Sequence, residues 1–206
     1  MTSPTTISLS YQAVGHRFER RALFAGLTAT FRHGDVVAVL GANGAGKSTL
    51  LKITAGLTRP TSGEVALARG DQRLSAAEHR AQVGYAAPDS LPYRPLTVAE
   101  NIDFFARLRG VEPEPDLLAR LGLADRADQT VSELSSGYVQ RVRLALAVLH
   151  QPALLLLDEP GANLDEAGHG LVADVVARQR ERGICLIAAN DPRDIAYGNR
   201  IIELGR

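Results

Sequence analysis

One run of nine residues, Gly41, Ala42, Asn43, Gly44, Ala45, Gly46, Lys47, Ser48 and Thr49, constrains this chain more than any other stretch. It follows residues 36–40, a short apolar run of strand length, and leads into residues 48–57, whose apolar positions recur at helical spacing. Strand, glycine turn and helix in that order make a phosphate cradle. Gly41, Gly44 and Gly46 let the backbone turn tightly, so that N–H groups at the helix start face an anion with the helix dipole behind them. Lys47 would then reach the β and γ phosphates of a nucleotide, and Ser48 would coordinate Mg²⁺.

A second apolar run, residues 153–157, ends in Asp158, Glu159 and Pro160. A buried parallel strand here would deliver two carboxylates together at its carboxyl end, where open α/β folds place ligands. Asp158 is the natural holder of Mg²⁺ through its water shell, and Glu159 can sit beyond the γ phosphate and polarise attacking water. Residues 166–182 read as a helix ended by Gly183, and residues 184–188 as the next buried strand. The alternation predicts an α/β core with a mostly parallel sheet.

Residues 7–11 and 23–31 read as strands of an N-terminal antiparallel layer, with shorter strand pieces at 64–68 and 82–85. Pro88, Pro92 and Pro95 break the chain before Thr97, a cap for an amphipathic helix over 98–108. From 88 to 136 the pattern gives helices and loops without a strand, a helical subdomain inserted in the core. A further helix over 137–150 would carry Arg141 and Arg143 on an exposed edge.

The 206 residues suit one domain over 1–206 and are too few for two nucleotide-binding domains. With 23 basic and 23 acidic residues there is no general electrostatic reason to expect nucleic acid, although Arg17, Arg20 and Arg21 make a local basic patch. Cys185 is the only cysteine and lies in an apolar run, so a disulfide framework is excluded and a buried structural role is expected. The amino terminus lacks the basic and apolar regions of a signal peptide, and no stretch approaches ~18 apolar residues. The expectation is a soluble chain whose membrane role, if any, comes through a partner.

Between the two phosphate-facing motifs stands Leu134, Ser135, Ser136, Gly137 and Tyr138, and after the second comes Asn163, Leu164 and Asp165. In this joint order the chain resembles the ATP-binding cassette (ABC) ATPases, the nucleotide-binding subunits of ABC transporters, over essentially its whole length. The resemblance implies a P-loop NTPase fold of ABC type and ATP hydrolysis with Mg²⁺. It also implies a head-to-tail dimer with a second ATPase subunit, holding two ATP, each gripped by the phosphate loop of one subunit and by Ser135 and Gly137 of the other. It further implies a separate integral membrane permease and a cytoplasmic, peripheral location. Phe18 falls where the family carries the aromatic that stacks on adenine; a core packing role is the alternative for a lone Phe near a strand.

Three positions depart from the family pattern. The signature has Ser136 and Tyr138 at its third and fifth places. The switch position, usually His, is Asn190, whose amide can donate to a γ phosphate but carries no proton near neutral pH. The glutamine expected after residues 83–85 is replaced by Pro88, with Asp89 next to it as a substitute oxygen donor for the metal. These departures leave open an ATP-gated clamp that dimerises and hydrolyses slowly. Phe104, Phe105 and Leu108 share a helical face, either as the core of the helical subdomain or as a permease docking surface. Within the family, the short length and residues 154–165 are similar to the small ATPase of the cytochrome c maturation haem exporter.

Overall fold

Two sheets divide the strands in the computed structural model, which describes residues 6–19 and 21–205. The signal-peptide reading of the first residues and the Arg20 member of the basic patch therefore lie outside the described residues. The chain order is β1 (Ile7–Phe18), β2 (Arg21–Arg32), β3 (Val36–Leu40), α1 (Lys47–Thr54), β4 (Ser62–Arg69), β5 (Gln72–Arg73), α2 (Ala76–Ala81) and β6 (Val83–Ala86). There follow α3 (Val98–Arg109), α4 (Leu117–Arg120), α5 (Ser136–Val148), β7 (Leu154–Asp158), α6 (Glu166–Arg182), β8 (Ile184–Ala188), α7 (Pro192–Ile195) and β9 (Arg200–Glu203).

The parallel sheet runs β6-β7-β8-β3-β9, and the antiparallel layer runs β2-β1-β4-β5. β7 shows why its apolar run is continuous rather than alternating. Leu154 and Leu156 enter a core shared with Leu9, Tyr11, Leu50 and Leu51 under the antiparallel layer, whereas Leu155 and Leu157 enter one shared with Val142, Leu144, Val172 and Ile187 under the helices. A strand covered on both faces has no side that water reaches. Cys185 sits in the second core, fully buried, and burial pushes its thiol far up, which fits an inert packing role.

Several boundaries lie farther out than the sequence pattern predicts. β1 extends to Phe18 and β2 starts at Arg21, because the hairpin keeps pairing through register shifts at residues 11–17. The short β5 and β9 and the helices α2, α4 and α7 were invisible to periodicity at their two to six residues, although Ser75 and Glu78 form a capping box that marks α2. Thr97 and Glu100 form the box that starts α3, and Gly110 ends it at φ 64°.

Between residues 88 and 136 the described structure holds α3, α4 and two 3₁₀ turns, with one isolated bridge, Thr97 to Thr130, tying its start to its end. Val98, Ile102 and Leu117 from this part join the same core as β7. The predicted exposed edge of α5 is corrected: Arg141 and Arg143 are half-buried. Arg141 lies 4.9 Å from the Tyr138 ring centre and pairs with Asp165 at 3.2 Å. Arg143 donates to the Ser90 and Pro88 carbonyls at 3.2 and 3.1 Å. Both guanidinium groups are held by partners from other parts of the chain, which a helical wheel cannot show.

Candidate functional site

The strand order brings the carboxyl ends of β7, β8 and β3 side by side, so Glu159, Asn190 and the glycine loop converge although they are far apart in sequence. In the loop, Gly44 and Gly46 have φ of 78° and 102°, which side-chain-bearing residues rarely adopt. A Cβ at Gly46 would also stand 3.0 Å from the Phe24 ring. α1 starts directly at Lys47, so its unpaired N–H groups open into the loop.

Lys47 is 8% exposed, and its Nζ donates to the Gly41 carbonyl at 2.8 Å and to Asn190 Oδ1 at 2.9 Å. Asn190 Nδ2 in turn donates to Glu159 Oε1 at 2.9 Å and to Asn43 Oδ1 at 3.0 Å. One amide therefore joins Lys47, the glycine loop and Glu159. A cleft of about 460 Å³ above this network is lined by Leu23, Asn43, Gly44, Gly46, Lys47, Ser48, Thr49, Glu159 and Asn190. Ala42 and Ala45 line an adjoining cleft of about 550 Å³ with Arg21, Ala22 and Leu23.

Asp158 is 5% exposed and lies beside the Ser48 side chain. Burial pushes its carboxyl above the usual range, against the pull of Ser48, with Asp89 adding to the rise and Lys52 and Lys47 opposing it. Glu159 is also raised, chiefly by burial, with Asp158 adding and the Asn190 hydrogen bond and Lys47 opposing. Its φ of 51° puts a non-glycine residue in the left-handed region, a conformation that costs about 1–3 kcal/mol. The Glu159 amide donating to the Ala188 carbonyl at 2.8 Å, and Gln140 donating to the Pro160 carbonyl at 3.1 Å, hold it there.

The structure does not bring every predicted residue to this cleft. Asp89, expected as a metal donor, spends its carboxylate on Lys52 at 2.6 Å on the surface, so metal contact would require breaking that pair. Phe18 is 69% exposed at the tip of the β1–β2 hairpin, just before the residues that line the second cleft, but does not line it itself. Ser135 and Gly137 stand at the start of α5, outside both clefts. Ser135 is exposed and its side chain makes no cap bond, while Gly137 backs onto the Asn163 carbonyl, 2.9 Å from where a Cβ would stand. Tyr138 is clasped between Arg126 and Arg141, at 5.0 and 4.9 Å from its ring centre, which gives the atypical fifth signature residue a packing role.

Residues 24–162 match the family model described as "ABC transporter". The chain belongs to the ABC transporter ATP-binding subunits. It is 34% identical over 92% of its length to the cytochrome c biogenesis ATP-binding export protein CcmA 2 of Cupriavidus metallidurans, 92% of which is covered. It is also 34% identical, over 99% of its length and 82% of the relative's, to the aliphatic sulfonates import ATP-binding protein SsuB 1 of Rhodococcus jostii. Among solved structures, the ATP-binding subunit of an ABC transporter superposes with a TM-score of 0.82 at 26% identity, covering 95% of this chain and 85% of that one. A dimeric cassette in a post-hydrolysis state bound to ADP and Pi has the same fold, with a TM-score of 0.82 at 21% identity over 95% of this chain and 94% of its own.

The chain is thus an ATP-binding ABC ATPase, and its glycine loop is the candidate phosphate cradle. Sequence reasoning found the cradle, Asp158 and Glu159, because each is a contiguous motif. It named Asn43 as part of the phosphate loop but not its bond to Asn190, and it missed Gln140 and Arg143 as members of the surrounding network. Nothing local marks them, since each acts on a residue from another element. Among the described residues, no helix is long and apolar enough to cross a membrane.

Proposed function

We propose that two copies of this ABC ATPase close head to tail around two ATP molecules and that hydrolysis drives a permease built from separate chains. Ser48 and Asp158 would hold Mg²⁺: a buried carboxylate pushed up by desolvation beside a hydroxyl is an oxygen pair that a hard divalent cation relieves. Glu159 is the base for the attacking water, and Asn190 supplies an amide to the γ phosphate. Phe18, exposed beside the second cleft, is the adenine platform in this reading.

The observation that carries the dimer is the position of Ser135. It is exposed, uncapped and outside its own chain's clefts, so its phosphate-facing role is available to another copy and not to its own ATP. The test mixes two variants that are each inactive. Lys47→Ala disables the cradle in cis, and Ser135→Arg blocks the signature in trans. In a mixed dimer one composite site keeps a wild-type cradle and a wild-type signature, so ATPase activity returns to about a quarter of wild type. No recovery on mixing removes the head-to-tail reading.

The docking surface is the outer face of α3. The structure splits the predicted trio: Phe105 packs against the helical core, whereas Phe104 and Leu108 are 42% and 71% exposed. Phe104 stands edge-on to Tyr93 at 5.1 Å, and Leu91 and Tyr93 are exposed beside it. Apolar side chains grouped in this way suit an apolar partner segment. Co-expression with a candidate permease chain should bring it to the membrane fraction, at the inner face of the cell membrane. Phe104→Asp should cut that recovery about tenfold while leaving ATP binding unchanged; equal recovery would remove this face from the reading. Haem export for cytochrome c maturation is the narrower proposal, supported by similarity to CcmA 2 at matching length. An import subunit is equally similar, so cargo is decided by the partner.

A further inference from the structure

Beneath the loop that follows Glu159 lie two ionisable side chains with no assigned part in nucleotide binding. Asp194 is 1% exposed and His169 4%. Asp194 Oδ2 accepts the Gly161 amide at 3.1 Å. Its Oδ1 stands 3.8 Å from His169 Nδ1, and neither of these two buried atoms has a hydrogen bond. Gly161 rests so closely on the pair that a Cβ there would lie 2.4 Å from His169 Cε1 and 2.8 Å from Asp194 Oδ2.

The surrounding charges are engaged elsewhere. Asp191, the cap of α7, pairs with Arg193 at 2.7 Å, and Arg193 also lies 3.7 Å from Glu166. The Tyr197 hydroxyl donates to the His169 carbonyl at 3.3 Å. His169 is left as the counter-group of Asp194. Burial pushes the Asp194 carboxyl up, while the Gly161 amide and His169 pull it down. A buried carboxylate is costly unless it is paired and hydrogen-bonded, so its bond to Gly161 is a strong restraint on that loop.

We propose that Asp194, partnered by His169, is a positioning residue that ties the Glu159 loop to the segment carrying Asn190. Gly161 follows Glu159 by two residues, and α7 starts two residues after Asn190, so one carboxylate joins the two loops that meet at the γ-phosphate end of the site. From Gly161 the loop continues through the Leu164 amide, which donates to the Gly161 carbonyl at 3.2 Å, to the Asn163 carbonyl against Gly137. The clamp thus sets the loop between the cis base and the signature helix. It deepens the ATPase reading by naming what holds the base in register.

The test compares Asp194→Ala with Asp194→Asn in the full chain, since an asparagine oxygen still accepts the Gly161 amide and a methyl group does not. Asp194→Ala should lower kcat about tenfold with the ATP KM within about twofold, because misplacing a reacting group harms the chemical step more than ground-state binding. Asp194→Asn should stay within about threefold of wild type. Deuterium exchange across residues 160–165 should quicken in the alanine variant and remain slow in the asparagine variant. An unchanged kcat in Asp194→Ala, an asparagine variant as slow as alanine, or a KM that rises as kcat falls overturns the clamp. His169→Leu should lower kcat about threefold, and no change removes His169 from it. Wild-type protein that binds ATP without turnover defeats the ATPase reading instead; the exchange measurement then decides the clamp, which equal exchange in wild type and Asp194→Ala overturns.

Discussion

Glu159→Gln should reduce kcat by about 10²–10⁴-fold while ATP binding persists and a stable ATP-bound dimer accumulates. The substitution keeps the shape of the side chain and the oxygen that Asn190 Nδ2 meets at 2.9 Å, and removes only the capacity to take a proton from water. Burial and the neighbouring Asp158 hold the Glu159 carboxyl above the usual range. As a base it must be ionised, so wild-type turnover should fall as pH drops through that raised value, at a higher pH than for an ordinary glutamate. Turnover as a function of pH, with light scattering of the ATP-bound species, checks both statements. A variant that turns over at the wild-type rate would take the base role away from Glu159. Wild-type protein that dimerises on ATP without hydrolysis would instead favour a slow ATP-gated clamp.

Lys47→Ala should weaken ATP binding by about 10²–10⁴-fold. Charge-assisted hydrogen bonds are worth about 1.5–3 kcal/mol each, and a lysine that reaches both the β and the γ phosphate loses two of them. The fold holds the ammonium ready, buried and anchored on the Gly41 carbonyl and Asn190 Oδ1. Removing it also strips Asn190 of one of its partners, so the line from the cradle to Glu159 is cut in the same step. Equilibrium titration with ATP and Mg²⁺ measures the loss, and affinity within tenfold of wild type would mean that backbone N–H groups alone supply the grip. The two variants should separate cleanly. Lys47→Ala fails at binding, and Glu159→Gln fails after it.

The structure alters the reading of the atypical residues more than that of the typical ones. Asn190 looked like a weakened switch; in the fold it is the hub between Lys47, Asn43 and Glu159. Asp89 looked like a spare metal donor, and it is the surface partner of Lys52. Pro88 carries no side-chain function, but its carbonyl is held by Arg143, which also donates to Gln140 Oε1 at 3.0 Å, and Gln140 reaches the Pro160 carbonyl. The place of the missing glutamine is therefore connected to the loop after Glu159 by a different route.

The amino-acid sequence by itself determined the parts whose chemistry is contiguous. A strand, a glycine turn and a helix start make an anion cradle wherever they occur, and a buried strand ending in two carboxylates presents them at a sheet edge. Backbone geometry and side chain are set there by near neighbours. Only the tertiary structure decided which groups face one another across that edge. Asn190 meets Asn43 across 147 residues, and Asp194 meets Gly161 across 33. Such contacts depend on the strand order and on the height at which each loop leaves the sheet. Both are properties of the packed core, to which no local run of residues has access.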